Sequence, residues 1–277
     1  MKSNLPKTRV TKVLTGFLGQ LLLLLSWGQL AGAEQLTLAA AADLKFAMDE
    51  VLADFRKENA SDSIEVVYGS SGKFYAQIRE GAPYDLFFSA DISYPNKLVA
   101  DGYGASEVRP YAIGRIVLWS QTRFFPKVDL GTLRERGLVH LAIANPKHAP
   151  YGKRAQEALV SLGLWEELEK KLVFGENVAH TAQMVQSGNA QVGIIALSLA
   201  LSPALSQEGT SYLLPESLHE PLVQGYLLTK RASGNALAKR FALFVEQPST
   251  RKTLIRYGFI LPGENADPAN RPGQSEQ

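Results

Sequence analysis

Three short runs bring small or polar residues to the point where a β-prone stretch gives way to a helical one. They are Ala40-Ala41-Ala42-Asp43, Gly69-Ser70-Ser71-Gly72 and Asn145-Pro146-Lys147-His148-Ala149-Pro150-Tyr151-Gly152. A helix start exposes N–H groups with no partner inside the helix, and the macrodipole places its positive end there. Such a terminus holds an anion without a formal positive charge. Small residues let the anion reach the backbone, and a serine or tyrosine hydroxyl adds a donor. One run alone is a weak signal, because Ser and Asp are also ordinary N-caps. Several of them in one chain of repeated α/β units point towards anion binding.

The other chemistry-bearing residues mostly exclude functions. The four histidines, His140, His148, His180 and His219, include no pair at the H-x-x-x-H spacing of a zinc site. The run Gly69 to Phe74 lacks the spacing and the Ser/Thr of a P-loop. Ser71 does not sit in G-x-S-x-G, since Lys73 occupies the place of the second glycine. A serine hydrolase would need Ser71 as nucleophile and His148 or His180 as its base, brought close only by the fold. The plainer reading makes Lys73 solvent-facing and His148 a surface-loop residue.

These runs need elements to hold them. Gln35–Leu38 is β-prone, and Leu44, Ala47, Met48, Val51, Leu52 and Phe55 follow at helical spacing. Ile64–Tyr68 and Asp85–Ser89 read as strands, Phe74–Arg79 and Tyr94–Ala100 as helices. This βαβαβ pattern implies a parallel sheet covered by helices, with all strand C-termini on one edge. The pattern restarts after Gly114. Strands are expected at Ile116–Trp119, Leu141–Ala144, Gln191–Ile195 and Gly225–Thr229. Helices are expected at Arg154–Leu162, Thr181–Gln186, Ala236–Val245 and Thr250–Tyr257. The fold class is α/β in two lobes, joined by crossings expected at Tyr111–Trp119 and Gly225–Thr229.

The ends of the chain read differently. Lys2, Lys7, Arg9 and Lys12 precede Leu21–Leu25 and then Ala31-Gly32-Ala33, the pattern of a secretory signal peptide cleaved after Ala33. The apolar run is far shorter than the ~20 residues that span a bilayer. The segment holds four of the 29 basic residues and none of the 27 acidic ones, so the remainder carries a net charge of −2. No basic cluster suggests a nucleic-acid partner. Cysteine is absent, so neither a disulfide nor a lipid-anchor cysteine is available, and a soluble periplasmic monomer is expected. Residues 263–277, rich in Pro, Gly and Asn, are expected to be a disordered tail.

The runs AAAADLKFAMDEVLADF, YGSSGKFYAQIREGAPYDLFFSAD, ANPKHAPYGKRAQEAL, GENVAHTAQMVQSGNAQVGII and RYGFILP together resemble the periplasmic molybdate-binding proteins of ABC transporters. The resemblance covers nearly all of the chain after the signal, from Leu36 to Leu261. It implies a two-lobed class II periplasmic binding protein, each lobe a mainly parallel sheet flanked by helices, with the ligand in the cleft between them. It implies lobes of 34–112 with 224–262, and of 113–223. The implied role is capture of molybdate or tungstate for the membrane permease of an ABC importer, with no cofactor and no catalysis. The implied ligand residues are Ala42, Asp43, Ser71, Tyr151 and Val178, addressing the oxygens of the oxyanion through backbone N–H groups and hydroxyls.

Two positions depart from the family pattern. Asp43 stands where the family has Ser or Asn. It is read as a helix N-cap with its backbone N–H towards the ligand, or else as a side chain that rejects some anion or responds to pH. Ala196 replaces a tyrosine found in some members, and Tyr151 is expected to supply that hydroxyl. Another tetrahedral oxyanion (sulfate, phosphate or vanadate) stays open as ligand, and the hydrolase stays as an alternative of another class.

Overall fold

The computed structural model describes residues 35–263, together with Met1. The signal segment expected at 1–33 lies outside the described residues but for Met1, and the tail at 263–277 but for Gly263. The chain opens with β1 (Gln35–Ala41), a 3-10 turn at Ala42–Leu44, α1 (Lys45–Glu58), β2 (Ser63–Gly69), α2 (Ser71–Arg79), β3 (Leu86–Ser89), α3 (Ser93–Ala100) and β4 (Arg109–Gly114). It continues through β5 (Ile116–Gln121), β6 (Leu141–Ala144), α4 (Pro150–Ser161), α5 (Trp165–Leu168), β7 (Leu172–Gly175) and α6 (Val178–Gln186). Then come β8 (Val192–Ala196), α7 (Leu197–Ala200), α8 (Pro203–Glu208) and β9 (Gly209–Leu213). β10 (Leu222–Leu228), α9 (Ala236–Val245) and α10 (Pro248–Arg256) complete it.

Two sheets result, ordered β2-β1-β3-β10-β4 and β7-β6-β8-β5-β9. Each has a parallel core, β1 with β2 and β3 in one and β6 with β7 and β8 in the other. The additions are antiparallel: β10 runs against both β3 and β4, and β5 against both β8 and β9. β1 is interior and covered on both faces, which explains its alanines. Ala40 packs with Leu44 and Phe88 on one side, Ala39 with Phe74 and Phe87 on the other. Phe87 and Phe88, adjacent in β3, thus feed opposite faces, as a strand's alternation requires. In α1 the buried set is Ala47, Met48, Val51, Leu52 and Phe55, the apolar stripe read from the sequence.

The parallel registers set the loops. Ala41 pairs with Gly69 at the ends of β1 and β2, so the Asp43 and Ser71 loops leave the first sheet side by side. Ala144 pairs with Gly175 at the ends of β6 and β7, which does the same for the Tyr151 and Val178 loops.

The chain passes from the first sheet to the second at Arg115, inside the crossing expected at Tyr111–Trp119. The other expected crossing is corrected. Gly225 to Leu228 lie within β10, paired with β3, and the passage runs instead through residues 214–221. There Pro215 and Pro221 bracket a 3-10 turn and interrupt the strand pattern.

Candidate ligand-binding cleft

Four helix starts meet between the lobes: the turn at Ala42–Leu44 and α2 from the first sheet, α4 and α6 from the second. The cleft they enclose is lined by Ala41, Ala42, Asp43, Gly69, Ser70, Ser71, Ala90, Ala149, Pro150, Tyr151, Asn177 and Val178. All five residues singled out from the sequence are on its wall, and no Lys, Arg or His is. The N-cap positions Ala41, Ser70 and Ala149 make no side-chain capping bond, so their helices' first N–H groups are not consumed by caps. In α4 the first residue is Pro150, which has no N–H, so Tyr151 supplies the first donor. In α6 the Asn177 side chain accepts from the His180 N–H at 2.9 Å, satisfying the third donor and leaving that of Val178.

Ser71 is fully buried, and its Oγ accepts from the Ala90 N–H at 2.9 Å. That bond uses a lone pair, not the hydroxyl hydrogen, so the O–H remains a donor. Gly152, two residues into α4, rests on the end of β6. A Cβ there would overlap the Ala144 carbonyl oxygen, which accounts for the glycine after Tyr151.

Asp43 is not the N-cap of its helix, which corrects the plainer reading of that residue. The cap position is Ala41. The Asp43 carboxylate turns into a buried network instead. Its Oδ2 accepts from Tyr151 Oη at 3.0 Å and from Gln224 Nε2 at 2.7 Å. Gln224 Oε1 in turn accepts from Tyr111 Oη at 2.6 Å. The Ser198 hydroxyl donates to the Asp43 backbone carbonyl at 2.7 Å. Asp43 Oδ1 is buried without a hydrogen-bond partner among the described residues. Burial pushes the Asp43 pKa up to about 6, against the opposing hydrogen bonds from Gln224 and Tyr151 and the smaller influence of the backbone N–H groups of Asp43 and Leu44. Burial, with the Asp43 charge second, holds the Tyr151 and Tyr111 hydroxyls well above the ordinary phenol range. The single hydrogen of the Tyr151 hydroxyl is therefore engaged with Asp43. Gly114 makes room for the network, since a Cβ there would press on Tyr151 Oη and Gln224 Nε2.

The lip of the cleft is clasped. Gly72 N–H donates to the His148 carbonyl at 3.0 Å, and the Ser70 hydroxyl donates to the same oxygen. His148 Nδ1 lies 3.1 Å from Ser70 Oγ. Lys73 does not simply face solvent: it pairs with Glu176 at 3.0 Å across the opening. Burial, then the Lys73 charge, lowers the His148 pKa, and the Lys73 hydrogen bond lowers that of Glu176. Among the described residues no group of three His, Cys, Asp or Glu side chains is placed to hold a metal ion.

A family model described as bacterial extracellular solute-binding protein matches residues 36–260. The molybdate-binding protein ModA of Rhodobacter capsulatus is 36% identical over 232 residues, covering 83% of this chain and 90% of its own length. The chain belongs to the ModA family. A solved structure of the same family, the periplasmic molybdate-binding protein of Azotobacter vinelandii, superposes with a TM-score of 0.77 at 32% identity, covering 82% of this chain and 99% of that one. The sulfate-binding protein SubI of Mycobacterium tuberculosis H37Rv shares the two-lobed fold with this ModA-family chain. Its TM-score is 0.68 at 14% identity, covering 86% of this chain and 88% of that one.

Sequence reasoning missed Gln224, Tyr111 and Ser198, which complete the Asp43 network, and Ala90, which orients Ser71. Gln224 had a readable signal: it is the lone polar residue in the apolar run Leu222-Val223-Gln224-Gly225-Tyr226-Leu227-Leu228. A buried strand carries such a residue only when it has partners.

Proposed function

We propose that the chain is a periplasmic solute-binding protein that captures molybdate, or the similarly sized tungstate, and delivers it to the membrane permease of an ABC importer. The observation that carries this reading is the meeting of four helix starts on one cleft with no cation on its wall. Dipoles and N–H groups alone suit a dianion, which can be held and later released without a charge partner. The Ser71 hydroxyl and the backbone N–H groups of Ala42, Asp43, Tyr151 and Val178 are the donors we assign, all addressed to the anion's oxygens. Molybdate is cargo here, neither cofactor nor structural metal. The lobes we assign, 35–114 with 222–262 and 116–213, differ from the expected bounds by the ends of β4 and β10 and close on the anion as a hinge. Secretion through the segment before Gln35 belongs to the same reading; no helix among the described residues is long and apolar enough to cross a membrane.

Calorimetric titration of the refolded, ligand-free protein with molybdate, tungstate, sulfate and phosphate tests this. Tight one-to-one binding of the first two with little heat from the others is expected. Sulfate or phosphate binding in their place would discard the ligand, and silence towards all would discard the role. The hydrolase reading gains nothing from the geometry: Ser71 Oγ is bonded to the Ala90 N–H, while the His148 imidazole is beside Ser70.

A further inference from the structure

The cleft contains a contradiction if it holds a dianion. Asp43 is on its wall and almost completely buried, with Oδ2 taken by Tyr151 and Gln224 and Oδ1 without a partner. An ionised carboxylate beside a dianion, away from water, repels it and leaves lone pairs where the ligand needs donors. A protonated carboxyl does neither, because its O–H is a donor.

The surroundings leave this carboxyl free to change state. The groups that face it are Tyr151 from α4, Gln224 from β10 and, through Gln224, Tyr111 from β4, together with the backbone N–H groups of Asp43 and Leu44, which favour its ionised form less strongly than burial opposes it. The Ser198 hydroxyl from α7 touches its backbone carbonyl only. Both tyrosines stay neutral at any physiological pH, and no cation is among the influences on Asp43. The charged groups at the lip, Lys73, Glu176 and His148, are engaged with one another and with Ser70. Burial already brings Asp43 to about 6, and a second negative charge in the cleft pushes in the same direction.

We propose that each dianion enters this cleft with one proton, which comes to rest on Asp43 Oδ1. The proton leaves a buffer acid, whose bond to it breaks as the O–H bond on the carboxyl forms. The cleft then gains no net negative charge from Asp43, and the orphaned oxygen becomes a donor. Asp43 is thereby a specificity-determining residue, since an anion that binds here must do so against a neutral carboxyl. This rests on the oxyanion reading above.

The test is calorimetry of the ligand-free protein with sodium molybdate at pH 8, in Tris and in HEPES, whose ionisation heats differ. The expected difference in observed heat corresponds to uptake of about one proton per anion, and Kd weakens roughly tenfold from pH 7 to pH 8. In Asp43→Asn the two buffers give the same heat and Kd does not change with pH. Equal heats in both buffers for the unaltered protein would overturn the inference while leaving the oxyanion reading intact. Uptake that persists in Asp43→Asn would also overturn it, moving the proton to His148. Should that variant not fold, His148→Ala takes its place: uptake that survives this substitution keeps the proton on Asp43, and uptake lost with it overturns the inference. Absence of molybdate binding at every pH would overturn the oxyanion reading and this inference with it.

Discussion

The hydroxyl of Tyr151, at the start of a helix in the second lobe, donates to Asp43 Oδ2 in the first lobe at 3.0 Å, and both side chains are buried. The bond makes the carboxylate part of the junction between lobes. Tyr151→Phe removes one of the two donors to Oδ2, leaving Gln224. A buried charge that loses a donor costs about 1–3 kcal/mol. Chemical denaturation of the ligand-free protein at pH 8 should show a loss of that size, shrinking towards pH 5 as Asp43 becomes neutral. An equal loss at both pH values would mean that the hydroxyl serves packing alone.

Asp43 itself should make the ligand-free protein less stable as the pH rises. Its carboxyl goes from 3.8 when unfolded to about 6 when buried, so the folded state binds the proton more tightly. Stability is then greatest while the group is protonated and falls between those two values, by about 3 kcal/mol in all. Asp43→Asn keeps an oxygen for Tyr151 and Gln224 and cannot ionise. It should be more stable than the unaltered protein at pH 8, with the gap closing by pH 4. Unfolding curves that stay parallel across that range would refute the assignment.

Ser71→Ala removes a hydroxyl donor from the cleft wall and the acceptor of the Ala90 N–H. A hydrogen bond to a charged partner contributes about 1.5–3 kcal/mol, so oxyanion affinity should drop roughly 10- to 150-fold. The fold should persist, read by circular dichroism. Unchanged affinity would remove the Ser71 hydroxyl from the binding set.

The α/β class, the helical stripe of α1 and the three anion-suited loops were legible because each is written locally. Periodicity gives the element, and small residues before a helix give the exposed N–H groups. What stayed hidden depends on distant pairing. β4, β7 and β9 are short or edge strands whose identity comes from their neighbours, so their residues show no alternation strong enough to announce them. Asp43 was legible as a cap or as a side chain acting on the anion, but not as an acceptor, because that role is created by Tyr151 and Gln224, 108 and 181 positions away. The second crossing was misplaced for the same reason: an apolar run such as β10 looks alike whether it bridges lobes or completes a sheet.

The clasp at the lip should matter less than the network below it. Lys73 and Glu176 are each about half exposed, and such pairs contribute about 0–1 kcal/mol. Lys73→Met should weaken oxyanion binding by less than about fivefold, an effect that fades in high salt as screening removes the pair's attraction. A large loss, or one insensitive to salt, would place Lys73 in contact with the ligand.

The position of β10 between β3 and β4 has a consequence for the order in which the molecule can form. The strands of the second sheet are contiguous in the chain, from Ile116 to Leu213, so that sheet can be complete before the remainder has been made. The first cannot: until Leu222–Leu228 arrives, β4 has no neighbour and β3 has an open side. Gln224 travels on that late strand, so the buried network at Asp43 is among the last features to assemble. A chain truncated before residue 222 would retain every helix start that meets at the cleft and still lack a finished first lobe on which to hold two of them. Long sequence separation makes such closure slow, and the interval before it leaves a strand edge exposed, which is where aggregation during folding would begin.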